Sequence, residues 1–244
     1  MTETTAAVRN ADVDWGRFGS QQYFAHNYAE MRADDARIIR LVRDWFAISV
    51  PAGTLLDGVD VGSGSNLYPA FALLPHCDRI TLYEYADSNV AWLDGQLADL
   101  DESWAPFALA ASGFEWRQAR IGLPKVARVQ QGSVFDLPGR RWQVGTMAFV
   151  AESLTEDVAE FEDAVGRFHG ALKPRAPFAA AFMEGSEGYS VGGVDFPAVS
   201  VGAAMVAGLF GRLGATDLAV HRVDIDPAPI RAGYCGYVVA VGRA

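Results

Sequence analysis

Two glycines and one acid, each next to a short apolar run, have types and spacing suited to holding a ligand. The run from Leu55 to Val61 breaks at Gly62-Ser63-Gly64, and a second run, Arg79 to Tyr83, ends in Glu84. Glycines let the backbone turn sharply and approach a ligand closely, and an acid after the next strand can accept hydrogen bonds from both hydroxyls of a ribose. The pattern predicts a nucleotide site between two parallel strands.

The glycine spacing distinguishes two kinds of nucleotide ligand. A dinucleotide fingerprint has a third glycine three residues after the second, and this chain has Leu67 there. Asp60 stands one residue before the end of the first apolar run, where a carboxylate would repel a diphosphate but can organise the turn around a methionine moiety. The sequence therefore favours S-adenosylmethionine as the cofactor. A purely structural strand-helix-strand unit remains the alternative.

The elements that must position these residues follow the pattern of an α/β protein. The apolar run 144–150 is typical of a central parallel strand, and 178–183 predicts the next strand. Two final strands, at about 216–223 and 234–242, are expected to pair antiparallel across the Pro-rich link 226–229. We predict a doubly wound, Rossmann-like, seven-stranded and mostly parallel sheet.

Other segments carry weaker signals. Residues 1–14 are small and polar and are expected to be frayed, and Asp34 is expected to cap the helix that follows it. For residues 101–124 the sequence predicts an irregular segment with one short helix. Ser153 and Glu156 have capping-box spacing before the next helix, and the glycine-rich stretch 185–196 predicts a loop.

The bulk composition favours one domain. The chain has 244 residues, of which 50% are hydrophobic, enough for one α/β domain with a large core. We expect a single domain over 1–244, with an N-terminal helical lid at 1–50 and the α/β core at 51–244. No stretch of 18 apolar residues occurs, and the first ten residues lack the apolar region of a signal peptide. The sequence predicts a cytoplasmic protein without a membrane span.

The net charge of the chain and the spacing of its possible metal ligands indicate which kinds of partner it can bind. The formal net charge is −10 and no Lys/Arg cluster occurs, so a nucleic-acid partner is disfavoured and a small-molecule substrate is favoured. Cys77 and Cys235 lie far apart, which favours reduced thiols. No metal is expected, because metal-ligand spacing is missing among His26, His76, His169 and His221.

Four segments together resemble the nicotinamide, phenylethanolamine and indolethylamine N-methyltransferases, a class I S-adenosylmethionine-dependent family. The segments are the pair Tyr23 and Tyr28, the turn D-V-G-S-G-x-x-x-Y from Asp60 to Tyr68, the run E-Y-x-D-x-N from Glu84 to Asn89, and the strand end Met183-Glu184. The match in order spans nearly the whole chain, although 101–130 and 185–232 resemble the family only loosely.

The resemblance implies a donor site built from several segments. Tyr23 and Tyr28 would close over the donor, Glu84 would take the ribose hydroxyls where the family more often has Asp, and Ser133-Val134 would replace the family's Asp-Val pair beside the adenine. Together with Asp60, the expected cofactor contacts are Tyr23, Tyr28, Gly62, Ser63, Gly64, Tyr68, Glu84, Tyr85, Asn89, Ser133, Val134 and Ala148.

The resemblance also implies an acceptor side. Glu184 lines up with a family acid that orients the substrate near its nitrogen, and a solvated strand-end carboxylate is its plainer interpretation. Glu152 is a second candidate acid, or a residue of the following helix start, and His26 is the histidine nearest to the expected site. The expected acceptor contacts are Trp15, Phe18, Phe149, Glu184, Tyr189 and Phe196, of which Trp15 and Phe18 could instead only pack.

The residues and the resemblance together predict an S-adenosylmethionine-dependent methyltransferase. The expected acceptor is a small molecule, with an amine or heterocyclic nitrogen as the methylated atom and Glu184 as the catalytic acid. Two alternatives stay open: a small-molecule O-methyltransferase, and a non-catalytic S-adenosylmethionine-binding accessory protein.

Overall fold

A seven-stranded sheet runs through the computed structural model, which describes residues 7–226 and 233–244. Two further short strands, β6 and β7, pair only with each other. In chain order the strands are β1 (Leu56–Val61), β2 (Cys77–Glu84), β3 (Ala127–Gln131), β4 (Val144–Ala148), β5 (Pro177–Glu184), β6 (Tyr189–Val191), β7 (Val194–Phe196), β8 (Thr216–Val223) and β9 (Gly236–Arg243).

Helices cover both faces of this sheet. They are α1 (Ser20–Asn27), α2 (Ala33–Ser49), α3 (Tyr68–Leu73), α4 (Asp87–Ala98), α5 (Ala105–Ser112), α6 (Trp116–Val126), α7 (Val158–Ala171) and α8 (Ala203–Arg212). One core cluster joins the sheet to α2 through α6, and the other joins it to α7 and α8. The central strands β1, β4, β5 and β9 are therefore mostly buried on both faces, whereas the edge strands β3 and β8 are largely exposed or half-buried.

The strand order places a crevice in the middle of the sheet. The order is β3-β2-β1-β4-β5-β9-β8, and the first five of these strands are parallel, while β9 is antiparallel to β5 and β8. The chain reverses its direction of winding between β1 and β4, and ligands of open α/β sheets bind outside the carboxyl ends of the strands at such a point. The predicted seven-stranded, mostly parallel sheet is confirmed, as is its final antiparallel pair.

The N-terminal segment, defined here as residues 7–28, is held against the body of the protein from residue 8 onward, so the expected fraying is wrong for residues 8–14. Residues 1–6 lie outside the described residues. The Val8 N–H donates to Glu156 Oε2 at 3.0 Å, and the Glu156 N–H donates to the Val8 carbonyl at 2.7 Å. The Asn10 N–H donates to Glu160 Oε2 at 2.8 Å. The Glu156 and Glu160 carboxylates, near the start of α7, thus accept from backbone N–H groups. Hydrogen bonds to the backbone cannot be predicted from the side-chain composition of a segment.

Three other expectations differ from the structure. Residues 101–124 contain most of two helices, α5 and α6, where one was expected. The stretch 185–196 contains the hairpin β6–β7, because Gly192 and Gly193 take φ of 58° and 80° and make the tight turn between its strands. The cap of α7 is Asp157, whose side chain accepts from the Ala159 N–H, rather than Ser153.

Asp34 does not cap α2 but lies in its first turn, fully buried. Its carboxylate accepts from the Tyr237 hydroxyl at 3.3 Å and from the Asp226 N–H at 3.1 Å, so it ties α2 to the end of the sheet. The remainder of the Pro-rich link, residues 227–229, falls outside the described residues.

Candidate functional site

A cavity of about 970 Å³ opens at the carboxyl ends of the parallel strands. Its floor includes Gly62 after β1, Glu84 at the end of β2, Ser133 after β3, Ala148 at the end of β4 and Met183 near the end of β5. The N-terminal segment and the hairpin β6–β7 form its roof. The volume lies in the upper part of the range for small-molecule sites, which is about 300–1,000 Å³.

The glycine turn and Glu84 meet inside this cavity. Glu84 Oε2 accepts from the Gly64 N–H at 2.8 Å, and Oε1 accepts from the N–H groups of Tyr85 and Ala86, both at 2.9 Å. The side chain is 6% exposed. Burial raises the pKa of Glu84, and the backbone hydrogen bonds oppose that rise. Oε1 thus already accepts from two donors, whereas Oε2 can still accept from one further donor, such as a ribose hydroxyl.

Gly62 is a position that a side chain cannot occupy. Its φ is +65°, and a Cβ built there would lie 2.5 Å from Val150 Cγ1. The Gly62 N–H donates to the Tyr83 carbonyl at 2.7 Å, which fixes the turn against β2. The missing side chain therefore lets Val150 pack directly against the turn at the end of β1, where both residues line the cavity.

Asp60 lies behind the turn, 1% exposed, and does not line the cavity. Its Oδ1 accepts from the Thr146 hydroxyl at 2.7 Å. Burial raises the pKa of Asp60 to about 7, hydrogen bonds from Thr146 and Ser63 oppose the rise, and the nearby Glu84 adds to it. The carboxyl group therefore titrates near neutral pH, within a few residues of the turn.

We expect Asp60→Asn to change how stability depends on pH. Folded Asp60 keeps its proton up to about pH 7, whereas an unfolded Asp loses it near pH 4, so the folded protein binds more protons in this window. Wild-type stability should thus fall as pH rises from 5 to 8, by about 2–3 kcal/mol from this group. The variant, whose amide oxygen can still accept from Thr146, should lack this fall.

Unfolding free energies of both proteins at pH 5 and pH 8 measure the difference directly. The raised pKa of Asp35, also about 7, is common to both proteins and cancels. Asp94→Asn, at an exposed position of α4, is the charge-matched control and should track the wild type. Parallel pH profiles for Asp60→Asn and wild type would show that Asp60 is ionised in the folded protein at pH 5.

An unbroken series of aromatic rings lines the roof and the inner wall. Tyr23 contacts Tyr28 with ring centroids 6.1 Å apart, and Phe18 contacts Tyr23 at 5.2 Å and Phe196 at 5.4 Å. Phe196 is stacked between Trp15 at 5.5 Å and Tyr189 at 5.3 Å. The series connects the N-terminal segment to the hairpin and leaves flat, apolar surface facing the cavity.

Phe149 also faces the cavity and has an unusual backbone. Its φ is +61°, which costs a non-glycine residue roughly 1–2 kcal/mol. Its N–H donates to the Ala181 carbonyl on β5 at 2.7 Å, so the strained residue is held in place where β4 ends. Strain of this kind concentrates at functional sites.

The structure brings most of the expected site residues together around this one cavity. The expected residues that line it are Trp15, Phe18, Tyr23, Tyr28, Gly62, Ser63, Gly64, Glu84, Tyr85, Asn89, Ser133, Val134, Ala148, Phe149, Tyr189 and Phe196. The Ser133 hydroxyl, expected to face an adenine, accepts from the Phe135 N–H at 3.2 Å. Asp60, Tyr68 and Glu184 do not line the cavity.

Glu184 is placed away from the cavity, so the expectation that it faces the acceptor needs correction. Side chains alternate along a strand, and because Met183 faces the cavity, Glu184 points to the other side of β5. There its carboxylate forms an ion pair with Arg222 of β8. Glu152, the other expected acid, is fully buried and accepts from the Met183 N–H at 2.9 Å, and it does not line the cavity either.

Tyr68 supports the site from behind rather than touching a ligand. It is 2% exposed, its ring lies parallel to that of Phe107 at 6.3 Å, and it meets the ring of Tyr28 edge-on at 6.0 Å. As the first residue of α3 it turns toward α5 in the core. Tyr68 therefore fixes Tyr28, which does line the cavity.

Several cavity residues were missed by the sequence reasoning. Val8 and Asn10 lie in the stretch expected to be frayed, Glu156 was considered only for helix capping, and Glu187 and Asp195 lie in the stretch expected to be a loop. Tyr83 carried a usable signal, because it directly precedes Glu84 at the end of β2. His26, considered as a possible site residue, lines the cavity.

Within the ranges 7–226 and 233–244, no group of three or more His, Cys, Asp or Glu side chains is arranged to hold a metal ion. No helix there has both the length and the apolar character needed to cross a membrane.

Comparison with known proteins gives structural matches alone. No protein-family model matches the chain, and no curated protein matches it in sequence. Magnesium protoporphyrin IX methyltransferase from Synechocystis PCC 6803, solved with bound S-adenosylmethionine, is similar at a TM-score of 0.62 and 12% identity, over 98% of this chain and 99% of that one.

Two other solved structures show that the fold serves different reactions. The 1,6-didemethyltoxoflavin-N1-methyltransferase of Burkholderia thailandensis, solved with 1,6-didemethyltoxoflavin and S-adenosylhomocysteine, matches at a TM-score of 0.52 and 16% identity, over 86% of this chain and 79% of that one. The (4+2)-cyclase SpnF matches at a TM-score of 0.55 and 14% identity, over 86% of this chain and 80% of that one. The chain thus has the seven-stranded α/β fold of the class I S-adenosylmethionine-dependent methyltransferases.

Proposed function

We propose that this chain is an S-adenosylmethionine-dependent methyltransferase that methylates a small molecule, with a nitrogen atom as the acceptor. The observation that carries the proposal is the buried carboxylate of Glu84, hydrogen-bonded to the Gly64 N–H within a cavity of about 970 Å³ at the carboxyl ends of the strands. The same fold occurs in solved methyltransferases, which supports the proposal by analogy alone.

The residues present fit this donor. Glu84 Oε2 keeps acceptor capacity for a ribose hydroxyl, and Gly62, Ser63 and Gly64 line the cavity where a methionine chain would run beside the backbone. Tyr85 and Asn89 lie next to Glu84 and also face the cavity, where they would flank the nucleoside. When bound, S-adenosylmethionine would supply an activated methyl group on a positively charged sulfur.

The charges around the cavity favour positively charged and neutral ligands. Among the described residues that line it there is no Lys or Arg, whereas Glu84, Glu156, Glu187 and Asp195 are all present. A diphosphate or a carboxylate-bearing acceptor would meet only like charges here, so dinucleotides and acidic acceptors are disfavoured. The rings of Tyr23 and Tyr28 present faces on which a cation is stabilised.

The chain's main chemical contribution would be to position the reactants. Methyl transfer from sulfur to nitrogen is an in-line displacement that needs a nitrogen lone pair aimed at the methyl carbon, and correct placement alone can lower the barrier greatly. Phe149, Phe196 and Tyr189 would hold a flat acceptor. A protonated amine must first lose its proton, and Glu187, Asp195 or His26 can accept it directly or through water.

Transfer to a panel of acceptors tests the proposed function. We expect intact-mass measurement to show a gain of one methyl group on at least one aromatic or heteroaromatic amine, and none on carboxylic acids. Methylation of phenols without any amine would move the acceptor atom from nitrogen to oxygen. Donor binding with no transfer to any class would instead favour an accessory protein or another reaction on the same fold, such as the cyclisation named for SpnF.

A further inference from the structure

One amide oxygen joins the helix above the cavity to the glycine turn below it. The Ser20 hydroxyl, on α1, donates to Asn89 Oδ1 at 2.7 Å, and the Ser65 hydroxyl donates to the same oxygen at 3.3 Å. Ser65 directly follows Gly64, and Asn89 lies in the first turn of α4. All three side chains are buried, so these hydrogen bonds form away from competing water.

The two hydroxyls also fix the orientation of the Asn89 amide. An amide group has one acceptor end and one donor end, and both serine hydroxyls occupy the acceptor end. The donor end is thereby turned toward Glu84, whose charged form it stabilises, and toward the glycine turn, where Asn89 Nδ2 lies 3.9 Å from the position of a Cβ built on Gly64. Asn89 and Glu84 both line the cavity, so the amide connects Ser20 to the carboxylate that a ligand of the turn would meet.

The remaining contacts of α1 do not pass through this oxygen. Gln21 Oε1 accepts from the Trp92 indole N–H at 3.1 Å, and the Phe24 ring packs on Trp92 and Trp104, at 5.4 Å from each. These contacts attach α1 to α4 and to the helical layer by themselves. Loss of the Ser20 hydroxyl should therefore leave α1 in place but cut its connection to the turn.

We propose that Ser20 is a positioning residue that couples the seating of α1 to occupancy of the donor end of the cavity, with Asn89 as the link. The inference rests on the proposed function, because it takes S-adenosylmethionine or its demethylated product as the ligand of the turn. A ligand that engages Glu84 fixes that carboxylate and the Asn89 amide beside it, and the amide in turn holds Ser20. The rings that α1 contributes to the roof, notably Tyr23, are then set before the acceptor arrives.

The test uses S-adenosylhomocysteine as the probe, without an acceptor, on the full chain. Hydrogen exchange of the α1 amides should slow on addition of the ligand to the wild type. In Ser20→Ala this slowing should be lost and the affinity should fall about three- to tenfold, the equivalent of one hydrogen bond. Ser65→Ala should also lower the affinity for S-adenosylhomocysteine. The double variant should lose less binding free energy than the sum of the two single losses.

Two variants complete the design. Ser20→Thr keeps a hydroxyl and should retain the ligand-induced slowing. Ser88→Ala, one residue before Asn89, removes a buried hydroxyl that has no hydrogen-bond partner among the described residues, and it should behave like the wild type. If Ser20→Ala does not fold, Ser20→Cys carries the same expectation, because its thiol is only a weak hydrogen-bond donor.

The outcomes separate this inference from the proposed function. Ligand-induced slowing in Ser20→Ala equal to that in wild type would overturn the role of Ser20 while leaving donor binding intact. Equal losses of ligand affinity in Ser20→Ala and Ser88→Ala would also overturn it, since the effect would then not be specific to the Ser20 hydroxyl. Failure of the wild type to bind S-adenosylhomocysteine would overturn the proposed function and, with it, the coupling.

Discussion

Replacing Glu84 with alanine should weaken binding of S-adenosylmethionine by about 2–4 kcal/mol, or about thirty- to several-hundredfold. The carboxylate is buried in the cavity, and its Oε2 keeps acceptor capacity for a ribose hydroxyl. Its removal also leaves the N–H groups of Gly64, Tyr85 and Ala86 without their acceptor, so the turn itself should loosen. Titration calorimetry, well below the variant's melting temperature, gives the affinity.

Asp94→Ala is the charge-matched control for this experiment. It removes one negative charge from an exposed position of α4, outside the cavity, and should leave the donor affinity within twofold of the wild type. A folded Glu84→Ala protein with undiminished donor affinity would assign Glu84 to the structure of the turn only. Equal losses in both variants would point to the overall charge of the protein rather than to a specific contact.

A methyl group added at Gly62 should both destabilise the protein and block the donor. Gly62→Ala places a Cβ 2.5 Å from Val150 Cγ1 on a backbone with φ of +65°. Left-handed strain and overpacking together cost about 2–4 kcal/mol, which for a chain of this size lowers the melting temperature by roughly 5–15 °C. Since the turn must shift to relieve the clash, the donor affinity should fall at least tenfold.

Gly95→Ala supplies the matched control. Gly95 lies within α4, and a Cβ there meets no atom within 4 Å. The substitution should raise stability by about 0.5–1 kcal/mol, because alanine favours a helix over glycine, and should leave donor affinity unchanged. Thermal unfolding measures the stability of both variants, and titration calorimetry measures their donor affinity. An unaltered donor affinity in Gly62→Ala would contradict the placement of the ligand against this turn.

The part of the site that could be predicted from sequence is the part built by single strands and tight turns. Gly62, Gly64 and Glu84 meet because each directly ends a parallel strand or follows one, and parallel strands bring their carboxyl ends to one edge. Glu184 ends a strand of the same sheet, yet it faces away. A motif fixes where a strand ends, but which side chain points into the cavity depends on alternation within the strand, here in favour of Met183.

The roof was harder to predict for a different reason. Val8 and Asn10 are held by backbone hydrogen bonds to Glu156 and Glu160, about 150 positions later in the chain. Such pairings depend on tertiary contact and leave no local pattern. The same holds for Ser20, whose partner is Asn89. Tyr189 and Phe196 were assigned to the acceptor wall through the family resemblance, and the structure places both on the hairpin above the cavity.

Titration calorimetry of the wild-type protein tests the central claim most directly. S-adenosylmethionine and S-adenosylhomocysteine should each bind once per chain, and a nicotinamide dinucleotide at the same concentration should release no heat. Three features lead to this result. The chain has Leu67 where a dinucleotide site has its third glycine, Glu84 can accept from a ribose hydroxyl, and the cavity wall is acidic. Heat of binding with the dinucleotide, and none with either methyl-donor ligand, would contradict the account.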